Sequence, residues 1–265
     1  MPTVLTIAGS DSGGGAGIQA DIKTCQELSV YTTTAITAIT VQNTCGVKSV
    51  EPLAPALVQR QIEAVLEDIG ADVVKTGMLV DAATIEVVAE MIQTFEVGQV
   101  VVDPVLSSTS GSTLLQEKAL EALQLRLLPL TSVFTPNLSE AAKILEQKEC
   151  RSVAEMHEAA VQLQQLGPQA VVLKGGHLEG DEAVDVYYDG ETLTELRNPR
   201  LSSTNTHGTG CTFAAAIAAE LAKGASPEAA VQTAKRFITT AISQGFSLGK
   251  GTGPTNHFAY RELCE

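Results

Sequence analysis

Basic residues are scarce in this chain of 265 residues: 17 Lys and Arg face 31 Asp and Glu, a net charge of −14. Binding a nucleic acid needs clustered Lys and Arg to neutralise phosphates, and no dense basic run occurs, so nucleic-acid partners are excluded. An anionic membrane surface would repel the chain for the same reason. Tryptophan is absent and aromatics make up 4 % of residues, too few for a base-stacking platform. The longest apolar stretch, Phe213 to Ala222, is broken by Glu220 and is too short to span a bilayer. The opening Met-Pro-Thr-Val-Leu-Thr-Ile-Ala-Gly-Ser has no basic residues and reaches glycine early, so no signal peptide is expected. Five cysteines (Cys25, Cys45, Cys150, Cys211 and Cys264) are odd in number and lack any Cys-x-x-Cys pair. That sets aside a disulfide framework or zinc site and predicts a reduced, cytoplasmic setting. Four scattered histidines (His157, His177, His207 and His257) argue against a His-based metal site.

What is present describes a folded α/β protein. Hydrophobic residues reach 44 %, charged residues 18 %, and there are 22 glycines, so a large core with many tight turns is expected. Consecutive apolar runs rich in β-branched residues (Val4–Ala8, Thr34–Val41, Val73–Lys75, Val100–Asp103, Val133–Thr135 and Val171–Lys174) read as strands buried on both faces. Helical periods lie between them, such as Ile18, Ile22, Cys25 and Leu28, then Ile62, Val65, Leu66 and Ile69. The alternation predicts parallel βαβ units in a three-layer α/β/α sandwich with a mostly parallel central sheet. Val184–Tyr188 and Thr192–Leu196, joined at Asp189-Gly190, read as an antiparallel hairpin at a sheet edge. Ser152-x-x-Glu155 predicts a capping box, and Ser226-Pro227-Glu228 another helix start. The last two helices, over Cys211–Lys223 and Pro227–Gln244, are Ala-rich almost all round and expected to be largely buried. No linker, repeat or composition shift divides the chain, so residues 1–265 are read as one domain.

Four constellations stand where such a fold places chemistry. Gly9-Ser10-Asp11-Ser12-Gly13-Gly14-Gly15-Ala16-Gly17 follows the first strand and opens a helix, aiming free N–H groups at a ligand. It is neither a Walker A loop nor a dinucleotide fingerprint, because Lys-Ser/Thr is missing and Ile18 stands at the third glycine. Asn205-Thr206-His207-Gly208-Thr209-Gly210-Cys211 enters a helix whose positive end suits an anion. Cys211 in the first turn is expected to have a lowered pKa, or else to be a buried core cysteine. Thr135-Pro136-Asn137-Leu138-Ser139-Glu140 and Asp103-Pro104-Val105 end strands. They offer carboxylates that suit Mg²⁺, although Asn137 and Glu140 equally satisfy a helix cap. Leu173-Lys174-Gly175-Gly176-His177 brings a lysine to a strand end, as a phosphate contact or a snorkelling side chain, with His177 read as a solvated loop residue. Lys75-Thr76-Gly77-Met78 ends another strand.

Taken together these residues resemble a family. The chain resembles the hydroxymethylpyrimidine/phosphomethylpyrimidine kinases of thiamine biosynthesis, in the ribokinase superfamily, over nearly its full length. The likeness is carried by Ala8–Asp21 (AGSDSGGGAGIQAD), Gln42-Asn43-Thr44, Gly77-Met78-Leu79, Asp103-Pro104-Val105, Thr135-Pro136-Asn137, Lys174-Gly175-Gly176-His177 and Asn205–Thr212 (NTHGTGCT). The resemblance implies a ribokinase-like domain in which ATP and a small pyrimidine alcohol meet at the strands' carboxyl ends. It implies Gly9, Asp21, Gln42, Met78 and Val105 for the pyrimidine, and Asn137, Lys174, Thr206, Gly208 and Gly210 for ATP. It implies Asp103 and Glu140 for Mg²⁺, and a catalytic group of Gly208, Thr209, Gly210, Lys174 and Cys211, with Cys211 as general base. A homodimer is expected on the same ground. After Val105 the chain departs from the family pattern, with Leu106-Ser107-Ser108-Thr109-Ser110-Gly111 where an apolar pair is usual. The alternatives are a pyridoxal or pyridoxine kinase on the same scaffold, and a non-catalytic nucleotide or vitamin sensor.

Overall fold

The computed structural model describes residues 1–106, 117–176 and 178–262, with side chains for all of these except Glu117, Arg261 and Glu262. His177 and the polar stretch from Ser107 to Gly111 lie outside the described residues. One sheet of nine strands runs through the described chain. In chain order these are β1 (Thr3–Asp11), β2 (Tyr31–Asn43), β3 (Gly46–Pro52), β4 (Val73–Thr76), β5 (Val100–Val102), β6 (Val133–Phe134), β7 (Ala170–Lys174), β8 (Glu182–Tyr188) and β9 (Leu193–Pro199). Their spatial order is β3-β2-β1-β4-β5-β6-β7-β8-β9. The strands from β2 to β7 in that order are parallel, and the pairings β2–β3, β7–β8 and β8–β9 are antiparallel. The expected hairpin is thus found at the edge, as β8 and β9. The β2–β3 hairpin at the other edge was not foreseen: no residue of β3 is buried, so its Gly-Val-Lys-Ser-Val-Glu-Pro carries no buried-strand pattern.

Helices α1 (Gly17–Glu27), α2 (Pro55–Asp68), α3 (Ala82–Thr94), α4 (Glu117–Ala122), α5 (Leu138–Ile144), α6 (Val153–Gln164), α7 (Thr209–Ala222), α8 (Pro227–Ser243) and α9 (Ala259–Glu262) connect and follow the strands. Alternate residues of each central strand feed two separate cores. Leu5, Val74, Val102, Phe134 and Leu173 pack with α2, α3, α5 and α6, whereas Val4, Val73, Val101, Val133 and Val172 pack with α1, α7 and α8. This is why those runs read as continuously apolar, and each such fully buried side chain contributes about 1.5–3 kcal/mol.

Local expectations were corrected at several points. Ile22 and Ile69 are 39 % and 48 % exposed, so the buried stripes of α1 and α2 are narrower than their apolar spacing implies. Ser152 caps α6 by accepting from the Glu155 N–H, but the Glu155 carboxylate reaches back to the Arg151 N–H, leaving that box open. The reciprocal box closes at Asn137 and Glu140 instead. Ser226 caps α8 as expected. Helix α7 is buried nearly all round, but α8 buries one face only.

Candidate active site

The parallel strands all present their carboxyl ends along one edge of the sheet, and a cleft of about 680 Å³ opens there. Residues expected from seven separate stretches meet in it. Gly9, Gln42, Met78 and Val105 line it at the ends of β1, β2, β4 and β5. Asp103, Asn137, Glu140 and Lys174 line it beyond β5, β6 and β7, and Thr206, Gly208, Thr209, Gly210 and Cys211 line it at the start of α7. The backbone at Val105 has φ of 35°, a left-handed conformation that strains a β-branched residue and costs about 1–3 kcal/mol.

The start of α7 brings the two glycine-rich loops together and leaves backbone amides free. Gly208 has φ of 82°, and a Cβ there would stand 1.8 Å from the Gly15 carbonyl oxygen, so only glycine fits where the two glycine loops touch. Thr209 N–H bonds back to Thr206 and Thr212 N–H to Gly208. Among the described residues the N–H groups of Gly210 and Cys211 bond to no protein atom, and they stand at the positive end of a buried helix. A Cβ on Gly210 would lie 3.4 Å from both Asp103 Oδ2 and Lys174 Nζ, so the charged pair packs against the first turn of α7.

Lys174 Nζ lies 2.9 Å from Asp103 Oδ1, and Thr135 Oγ1 donates to the same carboxylate. Burial alone would depress the Lys174 pKa, but Asp103 and Glu140 hold it above its ordinary value, so it remains an ammonium. Glu140 has a raised pKa: burial and Asp103 outweigh Lys174 and the Asn137 N–H that its Oε2 accepts at 2.8 Å. Among the described residues no group of three or more His, Cys, Asp or Glu forms a complete metal cage. Two hard carboxylates, Asp103 and Glu140, in the cleft that the α7 N-terminus lines nevertheless fit Mg²⁺, which takes one or two carboxylates and completes its shell with water and substrate phosphates.

Two expectations are overturned. Asp21 does not line the cleft; it is fully buried, pairs with Lys75 Nζ at 2.9 Å and accepts from Thr6 Oγ1 at 2.5 Å. Burial raises its pKa against the opposing effect of Lys75, while Asp21 holds fully buried Lys75 above the ordinary lysine value. The Cys211 pKa is not lowered. Although the residue meets the cleft, burial pushes the thiol up to about 11, with Asp21 and Asp103 adding to it and Lys75 opposing. Desolvation at this site outweighs the helix end.

A model of the phosphomethylpyrimidine kinase family matches residues 11–256. The chain belongs to this family. It is 46 % identical to the hydroxymethylpyrimidine/phosphomethylpyrimidine kinase of Bacillus subtilis over 97 % of this chain and 95 % of that protein. It is 49 % identical to the chloroplastic thiamine biosynthetic bifunctional enzyme of Arabidopsis thaliana over 97 % of its own residues, but spans only about half of that protein, 50 %. Among solved structures, the ADP complex of Bacillus subtilis pyridoxal kinase superposes with a TM-score of 0.92 at 44 % identity, covering 99 % of both chains.

Within this cleft, several charged groups were not singled out from the sequence. Asp11 caps the first glycine loop, accepting from Gly13, Gly15 and Ala16, and pairs with His207 at 2.9 Å. Asp185 accepts from the Gly175 N–H and pairs with Lys235 at 2.7 Å, anchoring the turn after Lys174. The loop-capping Asp at the second residue before a glycine was the one local signal available. The other partners are 50 to 196 residues apart, and spacing carries no trace of such pairs.

Proposed function

We propose that the chain transfers phosphoryl groups from ATP to the hydroxymethyl group of 4-amino-5-hydroxymethyl-2-methylpyrimidine, and then to the resulting monophosphate, for thiamine biosynthesis. One observation carries this reading: Gly210 and Cys211, whose amides are unbonded among the described residues, the Lys174–Asp103 pair and Gln42 all line a single cleft. The first group suits a transferring phosphoryl group, and the Gln42 amide suits an aminopyrimidine because it offers both a donor and an acceptor.

In this mechanism the chain positions reactants and stabilises charge, which is what phosphoryl transfer chiefly requires. Gly208, Thr209, Gly210 and Cys211 present backbone to the transferring group, and a single such donor is worth about 2.7–4 kcal/mol. Lys174, with Asn137 and Thr206, orients the nucleotide phosphates. Gly9, Gln42, Met78 and Val105 orient the pyrimidine so that its hydroxyl points at the anion hole. Asp103 and Glu140 would hold Mg²⁺, which when bound neutralises charge on the phosphate oxygens. Cys211 acts as base toward the alcohol only as the thiolate, against the burial that favours the thiol. A monophosphate acceptor, whose second pKa is about 6, needs no such base. Asp21, being sealed off from the cleft, supports the site from beneath by holding Lys75.

A second reading, pyridoxal kinase activity, is favoured by the close superposition with a pyridoxal kinase. Steady-state rates on both alcohols separate the two: a kcat/KM higher for the pyrimidine, and lost in Gln42→Leu, supports the first reading. The same likeness supports residues 1–265 as one ribokinase-like domain, with helix layers on both faces of the sheet where the two cores lie. We further propose a homodimer, which sedimentation would test. A cytoplasmic setting is supported by Cys25, Cys45, Cys150 and Cys211 being free thiols.

A further inference from the structure

One histidine joins the two glycine-rich loops to the pyrimidine wall. His207 Nε2 lies 2.9 Å from Asp11 Oδ2 and 3.3 Å from Gln42 Nε2. Asp11 is an ionised acceptor: burial alone would raise its pKa, but His207 and the N–H groups of Gly13 and Ala16 hold it below the usual range. A carboxylate accepts only, so His207 Nε2 carries a proton, whether the ring is neutral or charged. That donor nitrogen cannot bond to an amide nitrogen. The one Nε2 proton points mainly at Asp11, at 2.9 Å, so Gln42, at 3.3 Å, takes the weaker branch of a shared bond; its amide, whose oxygen and nitrogen exchange places by a half-turn, turns Oε1 to His207 and leaves its NH₂ and the second Oε1 lone pair to the cleft.

We propose that His207 is a positioning residue that sets the hydrogen-bonding polarity Gln42 shows to the substrate, so that the amide NH₂ donates to an unprotonated ring nitrogen. This rests on the pyrimidine-kinase reading and deepens it by naming what fixes substrate orientation and selects among heteroaromatic alcohols. A ring that presents N–H at that place meets a donor with a donor and is rejected. Both partners are held firmly. Ser12 Oγ accepts from the Gln42 N–H at 2.8 Å and donates to the Gln42 carbonyl at 2.7 Å. His207 donates its own N–H to Gly253 and accepts from the Thr255 N–H. The next residue is Gly208, so the ring that orients Gln42 is one residue from the anion hole, and the two halves of the site share one backbone segment.

The test compares the wild type with His207→Leu, which removes the donor, His207→Gln, which keeps a donor nitrogen at similar reach, and Gln42→Glu, which offers acceptors only. Expected is a rise of about tenfold in the KM for the pyrimidine alcohol in His207→Leu and Gln42→Glu, with the KM for ATP within about twofold. His207→Gln should recover to within about threefold of wild type. An unchanged pyrimidine KM in either damaging variant, a parallel rise in both KM values, or no recovery with His207→Gln overturns the proposal. ¹⁵N NMR of the free protein reads the His207 ring independently of turnover: a proton on Nε2 is expected, and a proton on Nδ1 alone overturns it. A wild type that phosphorylates no pyrimidine alcohol contradicts the reading of the cleft, while the NMR result still decides the role of His207.

Discussion

Lys174 and Asp103 lie 2.9 Å apart although β6 runs between the strands that carry them. The pair bridges the ends of β5 and β7 and lies against Gly210 in the first turn of α7. Lys174→Met removes the cationic end of this bridge and leaves Asp103 unpaired beside incoming phosphates. Its kcat/KM for ATP should fall about 10²–10³-fold, as when one charge-stabilising donor is lost from a preorganised site. Steady-state kinetics with ATP varied checks this, and a loss smaller than about tenfold would remove Lys174 from the phosphate site.

Lys75 and Asp21 form a fully buried ion pair beneath the cleft, so breaking it leaves one charge uncompensated. Lys75→Met should lower unfolding stability by about 3–5 kcal/mol, and adding Asp21→Asn should recover part of that loss. Denaturant titration of the three proteins gives the comparison. An additive double variant would show that the two residues act independently.

The Cys211 thiol, pushed up to about 11, sets the sign of a pH effect. A base must be deprotonated, and near pH 7 only about one thiol in ten thousand is. The kcat/KM for the pyrimidine alcohol should therefore rise about tenfold per pH unit through the neutral range and level off only near that pKa. Cys211→Ala should flatten the rise and slow the alcohol reaction more than the monophosphate reaction. Equal losses on the two acceptors would rule out a base role for Cys211.

His257 is buried, donates to or accepts from Thr212 Oγ1 at 3.0 Å, and is lowered to about 4, by burial first and then Lys23. The unfolded chain binds a proton at this residue below about pH 6.5, the folded protein only below about 4. The neutral-His contribution is thus complete above about pH 6.5 and is lost as pH falls through that window, by on the order of 3 kcal/mol. Thermal unfolding at about pH 8 and pH 5 should show a smaller pH dependence in His257→Asn than in the wild type.

Local patterns made the strand ends readable. Val100–Val102 and Ala170–Lys174 are apolar on successive residues because each face of the sheet has its own core, and a charged residue at the end of such a run marks the sheet edge. Gly208 was legible because a glycine before an apolar helix has few other reasons to be there. Asp21 was assigned to the pyrimidine by resemblance alone, and nothing local shows that Lys75, 54 residues away, takes its carboxylate. For Cys211 the helix end was visible in the sequence but the burial was not, and burial decided the direction of its pKa. The Asp11–His207–Gln42 set needs three chain segments to meet, which only the folded sheet order provides.

The central claim is tested most directly by incubating the purified protein with ATP, Mg²⁺ and 4-amino-5-hydroxymethyl-2-methylpyrimidine and following the products by mass spectrometry. The account predicts ATP-dependent appearance of the monophosphate followed by the diphosphate. ATP binding with no phosphorylated pyrimidine, or efficient turnover of pyridoxal with the pyrimidine untouched, would contradict it.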